Sequence, residues 1–291
     1  MPISTYEILI ASLLGTFVII NNMSCCLIKS HIANKPLGYE TLFDKFLVKL
    51  LNADVVFSYT LSILVYYSIC PQPLTPTAAS LIYFILNYVH DYVLCWFIVL
   101  VIFKYLCIFH PTNVEFDLSD DQVIKNVQIT ILAILTPLVF IDNLFISKIE
   151  NIPSYQLMTL ETSETGGKGL SKVSLYLNAI LLISFLYTNY QIEFKLPNTF
   201  DKNERSKSVS TARWISVIAL VTILFTIIGL ICIDISDDAQ IFFTGVLIVL
   251  LHCVFPPIIF IWRSKRSLKT YVFNTLKRFV LCRDEMIEIY E

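Results

Sequence analysis

The sequence predicts an all-α membrane protein, a seven-transmembrane helix bundle with a C-terminal amphipathic interfacial helix. Hydrophobic residues make up 56% of its 291 residues and charged residues 15%. Soluble domains have about 45–50% apolar and about 25% charged residues, so this chain carries more apolar surface than a soluble core can bury. Several apolar runs reach membrane-spanning length, and basic residues cluster at alternate run ends. We therefore expect a multi-pass protein that contacts membrane lipid and does not bind nucleic acid.

Seven apolar runs reach the roughly 20 residues that cross a bilayer as a helix. Segments rich in Gly, Pro, Asn and charged residues separate them. The first run has neither a basic segment before it nor a small-residue cleavage site after it, so we expect a retained signal anchor. The predicted spans are 6–28, 46–69, 78–108, 126–146, 173–194, 213–235 and 239–262.

The third span organises the chain. Its apolar run, Leu81–Phe103, is interrupted by His90 and Asp91, and it ends at Lys104 and Tyr105. A few apolar residues and a helix-stopping proline follow. A basic residue beside an aromatic one at the end of an apolar run is typical of a cytoplasmic helix end.

The distribution of basic residues predicts the orientation. With the N-terminus extracellular and the C-terminus cytoplasmic, Lys148, Lys168 and Lys172 are the only ones of the 21 Lys and Arg residues in outer segments. This agrees with the excess of Lys and Arg found in cytoplasmic loops. We expect this orientation in the plasma membrane.

Ionisable side chains inside the spans are the candidate functional residues. A carboxylate at the centre of a membrane helix costs about 2.5–3.5 kcal/mol on insertion scales, so it is expected to face the bundle interior. Asp54 lies in the second span, Asn87, His90 and Asp91 in the third, and His252 in the seventh. For Asp54 the alternative is a protonated carboxyl bonded to a neighbouring helix, without an ion. For His90 and Asp91 the alternative is hydrogen bonding between helices.

Three segments carry a resemblance to rhodopsin-like G-protein-coupled receptors. The end of the third span resembles the family's acidic-Arg-Tyr motif, with Phe103 and Lys104 in place of the first two residues and Tyr105 as the third. The segment Leu50–Asp54 resembles the second helix of those receptors. The segment Pro256–Phe260 resembles the Asn-Pro-x-x-Tyr motif, with Pro257 as its proline and Phe260 as its last residue.

The resemblance implies a role for each candidate residue. Asn87, His90 and Asp91 would contact a small-molecule ligand in the outer half of the bundle. Asp54 and His252 would belong to a polar pocket that could hold a sodium ion. The residues implied in activation and in coupling to a heterotrimeric G protein are Lys104, Tyr105, Tyr187, Pro257 and Phe260.

The C-terminal segment matches the family's eighth helix in pattern. Ser267–Leu281 places apolar residues on one side and basic residues elsewhere, which predicts a helix lying on the inner leaflet. Cys282 follows it as a candidate palmitoylation site, with a free thiol as the alternative. The sequence thus divides into a seven-transmembrane receptor domain, 1–264, and an amphipathic helix with a short cytoplasmic tail, 265–291.

Several family features are missing. The fifth and sixth spans have no proline, the sixth lacks the Cys-Trp-x-Pro segment, and the loop at about 147–172 has no cysteine for the usual disulfide. These departures are similar to those of invertebrate chemosensory receptors, nematode ones in particular. The resemblance thus implies a divergent branch of the superfamily.

We expect an orphan or chemosensory G-protein-coupled receptor. The sequence lacks glycine-rich phosphate loops, zinc-spaced His and Cys sets and nucleophile elbows, so we expect neither an enzyme nor a metal site, and no cofactor apart from the possible sodium ion. The alternatives are a seven-span transporter or channel subunit and a non-signalling partner subunit. The absence of an internal repeat weighs against the transporter.

Overall fold

The computed structural model describes residues 5–34, 42–69, 76–109, 120–144, 172–194, 202–235, 239–263 and 270–275. Within these ranges the secondary structure is helical, which confirms the predicted all-α class. Besides the short helical segment 270–275, the described helices are α1 (Thr5–Ala33), α2 (Leu42–Ile69), α3 (Pro76–Phe109), α4 (Asp120–Leu144), α5 (Lys172–Phe194), α6 (Lys202–Ile235) and α7 (Ala239–Arg263).

Six of these helices, α1 to α6, carry an apolar stretch of 19 to 23 residues, which is long enough to cross a bilayer. In α7 the apolar stretch within the described residues, Leu247–Trp262, is shorter. The chain is therefore a helical membrane protein with several spans. The tail at 276–291, with Cys282, and the loop at 145–171 lie outside the described residues.

Several helices extend at least four residues further into the polar segments than the predicted spans. α1 continues to Ala33, α4 begins at Asp120, and α6 begins at Lys202, whereas the apolar runs end at 28 and begin at 126 and 213. A hydropathy pattern identifies only the part of a helix that is apolar enough to contact lipid. Lys, Arg, Glu and Gln are strong helix formers, so the helices continue beyond that part.

The helices alternate in direction, and basic residues gather at one end of the bundle. We call this the basic end: α1, α3, α5 and α7 finish there, and α2, α4 and α6 begin there. The Lys45 Nζ atom of α2 lies 2.8 Å from the Asp121 Oδ1 atom of α4. The Lys104 Nζ of α3 lies 5.6 Å from the centroid of the Phe43 ring of α2. Other described basic side chains at this end are Lys29, Lys49, Lys125 and Arg213.

α3 is central to the packing. It contacts α2, α4, α5 and α6, while α1 packs between α2 and α7. The main core contains large side chains that are almost fully buried on α2 and α3, among them Phe57, Trp96 and Phe97. A second, smaller core joins α3, α4 and α5 around Leu135 and Val139. Because other helices surround α3, its polar residues can contact several helices at once.

The outward faces of α1, α4 and α5 carry large apolar side chains. Ile19, Ile134 and Ile183 are each about 60% exposed or more, at 60%, 58% and 65%. In a membrane protein such surfaces face lipid tails, which are as apolar as the side chains themselves. The buried polar residues lie on the opposite faces, inside the bundle.

α6 and α7 form the most extensive helix pair, and their backbones approach closely at Gly229. A Cβ atom placed on Gly229 would lie 2.5 Å from Val249 Cγ2 and 2.9 Å from the Gly245 carbonyl oxygen. Small residues permit such an approach between membrane helices. Nearer the basic end, the Phe225 and Phe255 rings stack with centroids 5.1 Å apart.

Gly229→Ala is predicted to destabilise the bundle by about 1–3 kcal/mol, the usual cost of forcing extra atoms into a packed core. Gly15→Ala is the matched control, because an added Cβ there meets nothing within 4 Å. The thermal unfolding midpoint of each purified variant is the measurement. An equal midpoint for the two variants would contradict the close packing of α6 on α7.

Candidate functional site

The four ionisable residues that the sequence analysis singled out, Asp54, His90, Asp91 and His252, are buried in the bundle. Asp54, Asp91 and His252 have 0% exposure and His90 has 5%, while Asn87 of α3 is half-buried. Burial is expected, because contact with lipid would be more costly for an ionisable group than contact with other helices. These residues fall into an outer cluster around Asp91 and a group around Asp54 nearer the basic end.

The outer cluster joins α3 to α5. The Ser174 hydroxyl of α5 donates a hydrogen bond to Asp91 Oδ1. His90 Nδ1 lies 3.3 Å from Ser174 Oγ and 3.4 Å from Asp91 Oδ1. One turn along α5, the Asn178 amide donates to the Ser174 carbonyl oxygen over 2.8 Å. Sequence reasoning missed Ser174 and Asn178, although buried polar residues four positions apart in an apolar helix are a detectable signal.

Three rings extend this cluster to α2 and α7. The centroid of the Phe57 ring lies 5.4 Å from that of His90 and 5.2 Å from that of His252. The two histidine rings meet edge to face, 5.4 Å apart. His90 is therefore a junction at which α2, α3, α5 and α7 meet. Phe57 could not be identified from the sequence, because one phenylalanine in an apolar span is indistinguishable from the others.

Cys253 connects His252 with the group around Asp54. Its Sγ atom lies 3.3 Å from His252 Nε2, and its thiol is beside the Asp54 carboxyl, outside hydrogen-bond geometry for either carboxyl oxygen. His252 and Asp54 were expected to share one pocket. In the structure Cys253 lies between them, in a series that runs from Ser174 through Asp91, His90, His252 and Cys253 to Asp54.

A cavity of ≈ 30 Å³ lies between Asp54 and the basic end. It has room for a molecule the size of water. Pro257 and Phe260 of the predicted activation motif both line it, and His252 does not. The full lining is Phe43, Leu47, Leu50, Leu51, Asp54, Phe97, Leu100, Ile215, Ile218, Pro256, Pro257 and Phe260.

This lining does not suit a sodium ion. Hard cations take several oxygen ligands from carboxylates, carbonyls, hydroxyls or water, whereas Asp54 supplies the one carboxylate in the wall and the other lining side chains are apolar. Two thiols, those of Cys253 and Cys25, also lie near Asp54, and thiols suit soft metals. Across the described ranges, no set of three His, Cys, Asp or Glu side chains could hold a metal ion.

The predicted coupling residues of α3 contact neighbouring helices at the basic end. The hydroxyl oxygens of Tyr105 and Tyr187 are 3.4 Å apart, and their ring centroids are 5.5 Å apart. Lys104 lies over the Phe43 ring. The basic end of α3 is thus joined to α5 on one side and to α2 on the other.

The segment 270–275 is attached to α1 at the basic end. The Tyr271 hydroxyl lies 2.7 Å from Ser30 Oγ and accepts a hydrogen bond from Asn34 Nδ2 over 3.4 Å. The His31 ring is 5.4 Å from the Tyr271 ring. This part of the predicted amphipathic helix is therefore fixed to the bundle by polar contacts.

Comparison with known proteins finds no protein-family model and no curated protein that matches this chain. The assignment of a function therefore depends on the residues and contacts described above.

Because the cavity at Asp54 lacks a cation ligand set, exchanging Na⁺ for choline is predicted to leave the thermal unfolding midpoint of the purified protein unchanged. The measurement is a series of melts at constant ionic strength, with Asp54→Asn as the control. A midpoint that rises with Na⁺ in the wild type, and not in Asp54→Asn, would show that Asp54 does bind the ion.

Proposed function

We propose that this protein is a divergent receptor of the rhodopsin-like superfamily, with seven spans in the plasma membrane, an extracellular N-terminus and a cytoplasmic C-terminus. A small ligand acts in the outer half of the bundle, and a G protein binds at the basic end. The observation that carries the proposal is the position of α3. This central helix holds His90 and Asp91 in contact with α5 and α7 at one level, and Lys104 and Tyr105 in contact with α2 and α5 at the other.

The charge at the two ends of the bundle supports the orientation. Every described Lys and Arg side chain lies at the basic end, which is the cytoplasmic side under the positive-inside rule. A surface with these charges suits the binding of an intracellular partner. The same charges would also set the topology of a protein with no such partner, so binding needs a direct test.

The ligand would act at Asn87, His90 and Asp91, with Ser174 as a further contact from α5. Through His90, Asp91 and Ser174, this site connects α2, α3, α5 and α7 by hydrogen bonds and ring contacts. A ligand that binds one helix arrangement better than another shifts the equilibrium between the two. Altered contacts at Asp91 would therefore change how α5 and α7 pack on α3.

The cavity gives the helices at the basic end room to move. Its walls come from α2 and α3 on one side and from α6 and α7 on the other. Packed cores change between discrete arrangements rather than deform continuously. A cavity leaves space that side chains can occupy in a second arrangement of the helices. The resemblance implies that Pro257 and Phe260 take part in this change, and their position in the cavity wall supports that role.

A transporter or channel subunit is the second candidate, supported by the series of ionisable groups from Asp91 through His90 and His252 to Asp54. Chains of buried Asp and His residues occur in ion and proton pathways. Current or substrate uptake in vesicles that contain the purified chain would favour this candidate. A non-signalling partner subunit would instead reach the cell surface without either activity.

Lys104→Glu is predicted to reduce G-protein dissociation in cells at least tenfold, because it reverses the charge at the basic end of α3. Both agonist-independent signalling and a ligand panel are measured, at matched surface expression. Lys125→Glu makes the same charge change at an exposed position on α4 and is predicted to retain the signal. A wild-type signal that Lys104→Glu leaves intact would contradict coupling at α3.

Tyr105→Phe and Tyr187→Phe are predicted to change agonist-independent signalling by the same factor, since each removes one member of a single hydroxyl pair. The double variant is then predicted to match either single variant. The same reporter measures all three. Effects that multiply in the double variant would show that the two tyrosines act independently.

A further inference from the structure

The outer cluster is incompletely paired. Asp91 Oδ1 accepts the Ser174 hydroxyl, but Asp91 Oδ2 and His90 Nε2 are buried and have no hydrogen-bond partner among the described residues. Both residues are more than nine-tenths buried. A buried carboxylate with one unpaired oxygen is costly unless a positive charge or a proton satisfies it.

The helices packed around the cluster supply no permanent positive charge from their described side chains. The Lys and Arg side chains that the structure describes lie at the basic end. α5 contributes two buried groups that do not titrate, Ser174 and Asn178. The described titratable groups beside the cluster are Cys95 of α3, close to Asp91, and His252 of α7, whose ring meets the His90 ring.

We propose that a proton is the resident counter-charge and that the cluster of Asp91, His90 and Ser174 is a proton-binding site. The proton passes from water to Asp91 Oδ2, where an O–H bond forms and the carboxylate becomes a neutral acid. Asp91 is 0% exposed and Ser174 3%, so a proton can neutralise the carboxylate without any change in the packing around it.

Proton release would loosen the packing of α5 on α3. The remaining carboxylate has no donor at Oδ2, so water must enter between the two helices to solvate it. His90 would transmit the change, because it contacts Ser174 as well as the rings of Phe57 and His252. A rise in pH is therefore expected to shift the bundle away from the arrangement described here, which would make the protein a pH sensor.

This inference concerns the residues of the proposed ligand site, but it depends on their contacts and not on G-protein coupling. Its test is pH-difference infrared spectroscopy of the full chain in phosphatidylcholine nanodiscs, with spectra taken at a series of pH values. The expected result is a carboxylic-acid C=O band that grows as the pH falls, is lost in Asp91→Asn and remains in Asp54→Asn.

Ser174→Ala provides a second readout that does not depend on the folding of Asp91→Asn. It removes the hydrogen bond to Oδ1 and is expected to shift the frequency of the band. Ser216→Ala, at a buried serine of α6, is expected to leave the band unchanged. A band that is missing in the wild type, lost in Asp54→Asn, or insensitive to Ser174→Ala would overturn the proposal. Because the band reports protonation directly, its presence or absence is independent of whether the protein signals.

Discussion

The cost of placing ionisable side chains within a bilayer is the constraint on which the rest of this structure depends. Four such residues, Asp54, His90, Asp91 and His252, lie at mid-depth of apolar helices and must be screened from lipid. Two of these residues, His90 and Asp91, are adjacent in α3. A central position for α3 lets both side chains find partners on other helices, so the arrangement of the bundle and the position of the candidate site have the same physical origin.

The helix contacts also divide the bundle into a tight part and a looser part. α6 and α7 approach to backbone contact at Gly229 and are stacked again through Phe225 and Phe255. Across the cavity, α2 and α3 face this pair through apolar side chains, with Asp54 at one end. If α6 and α7 moved together relative to α2 and α3, the contacts between α6 and α7 would be preserved. The cavity would provide the space for this movement.

Sequence reasoning predicted the parts of this account that depend on one helix at a time. Apolar length located the helices, and burial cost identified Asp54, His90, Asp91 and His252 as interior residues. The resemblance singled out Tyr105 and Tyr187, which are in contact. Connections between helices could not be predicted in this way: Ser174 as the partner of Asp91 and Cys253 as the link to Asp54 depend on the rotation of α5 and α7. A single sequence contains no direct record of that rotation.

The central claim is that the series from Asp91 through His90, His252 and Cys253 to Asp54 is energetically connected. A double-mutant cycle on unfolding tests it most directly, with Asp91→Asn and Asp54→Asn measured singly and together. The account predicts a coupling free energy of about 0.5 kcal/mol or more, as for residues within one network, and its loss when the cycle is repeated with His252→Gln. Additive effects of the two substitutions in the wild-type background would contradict the claim.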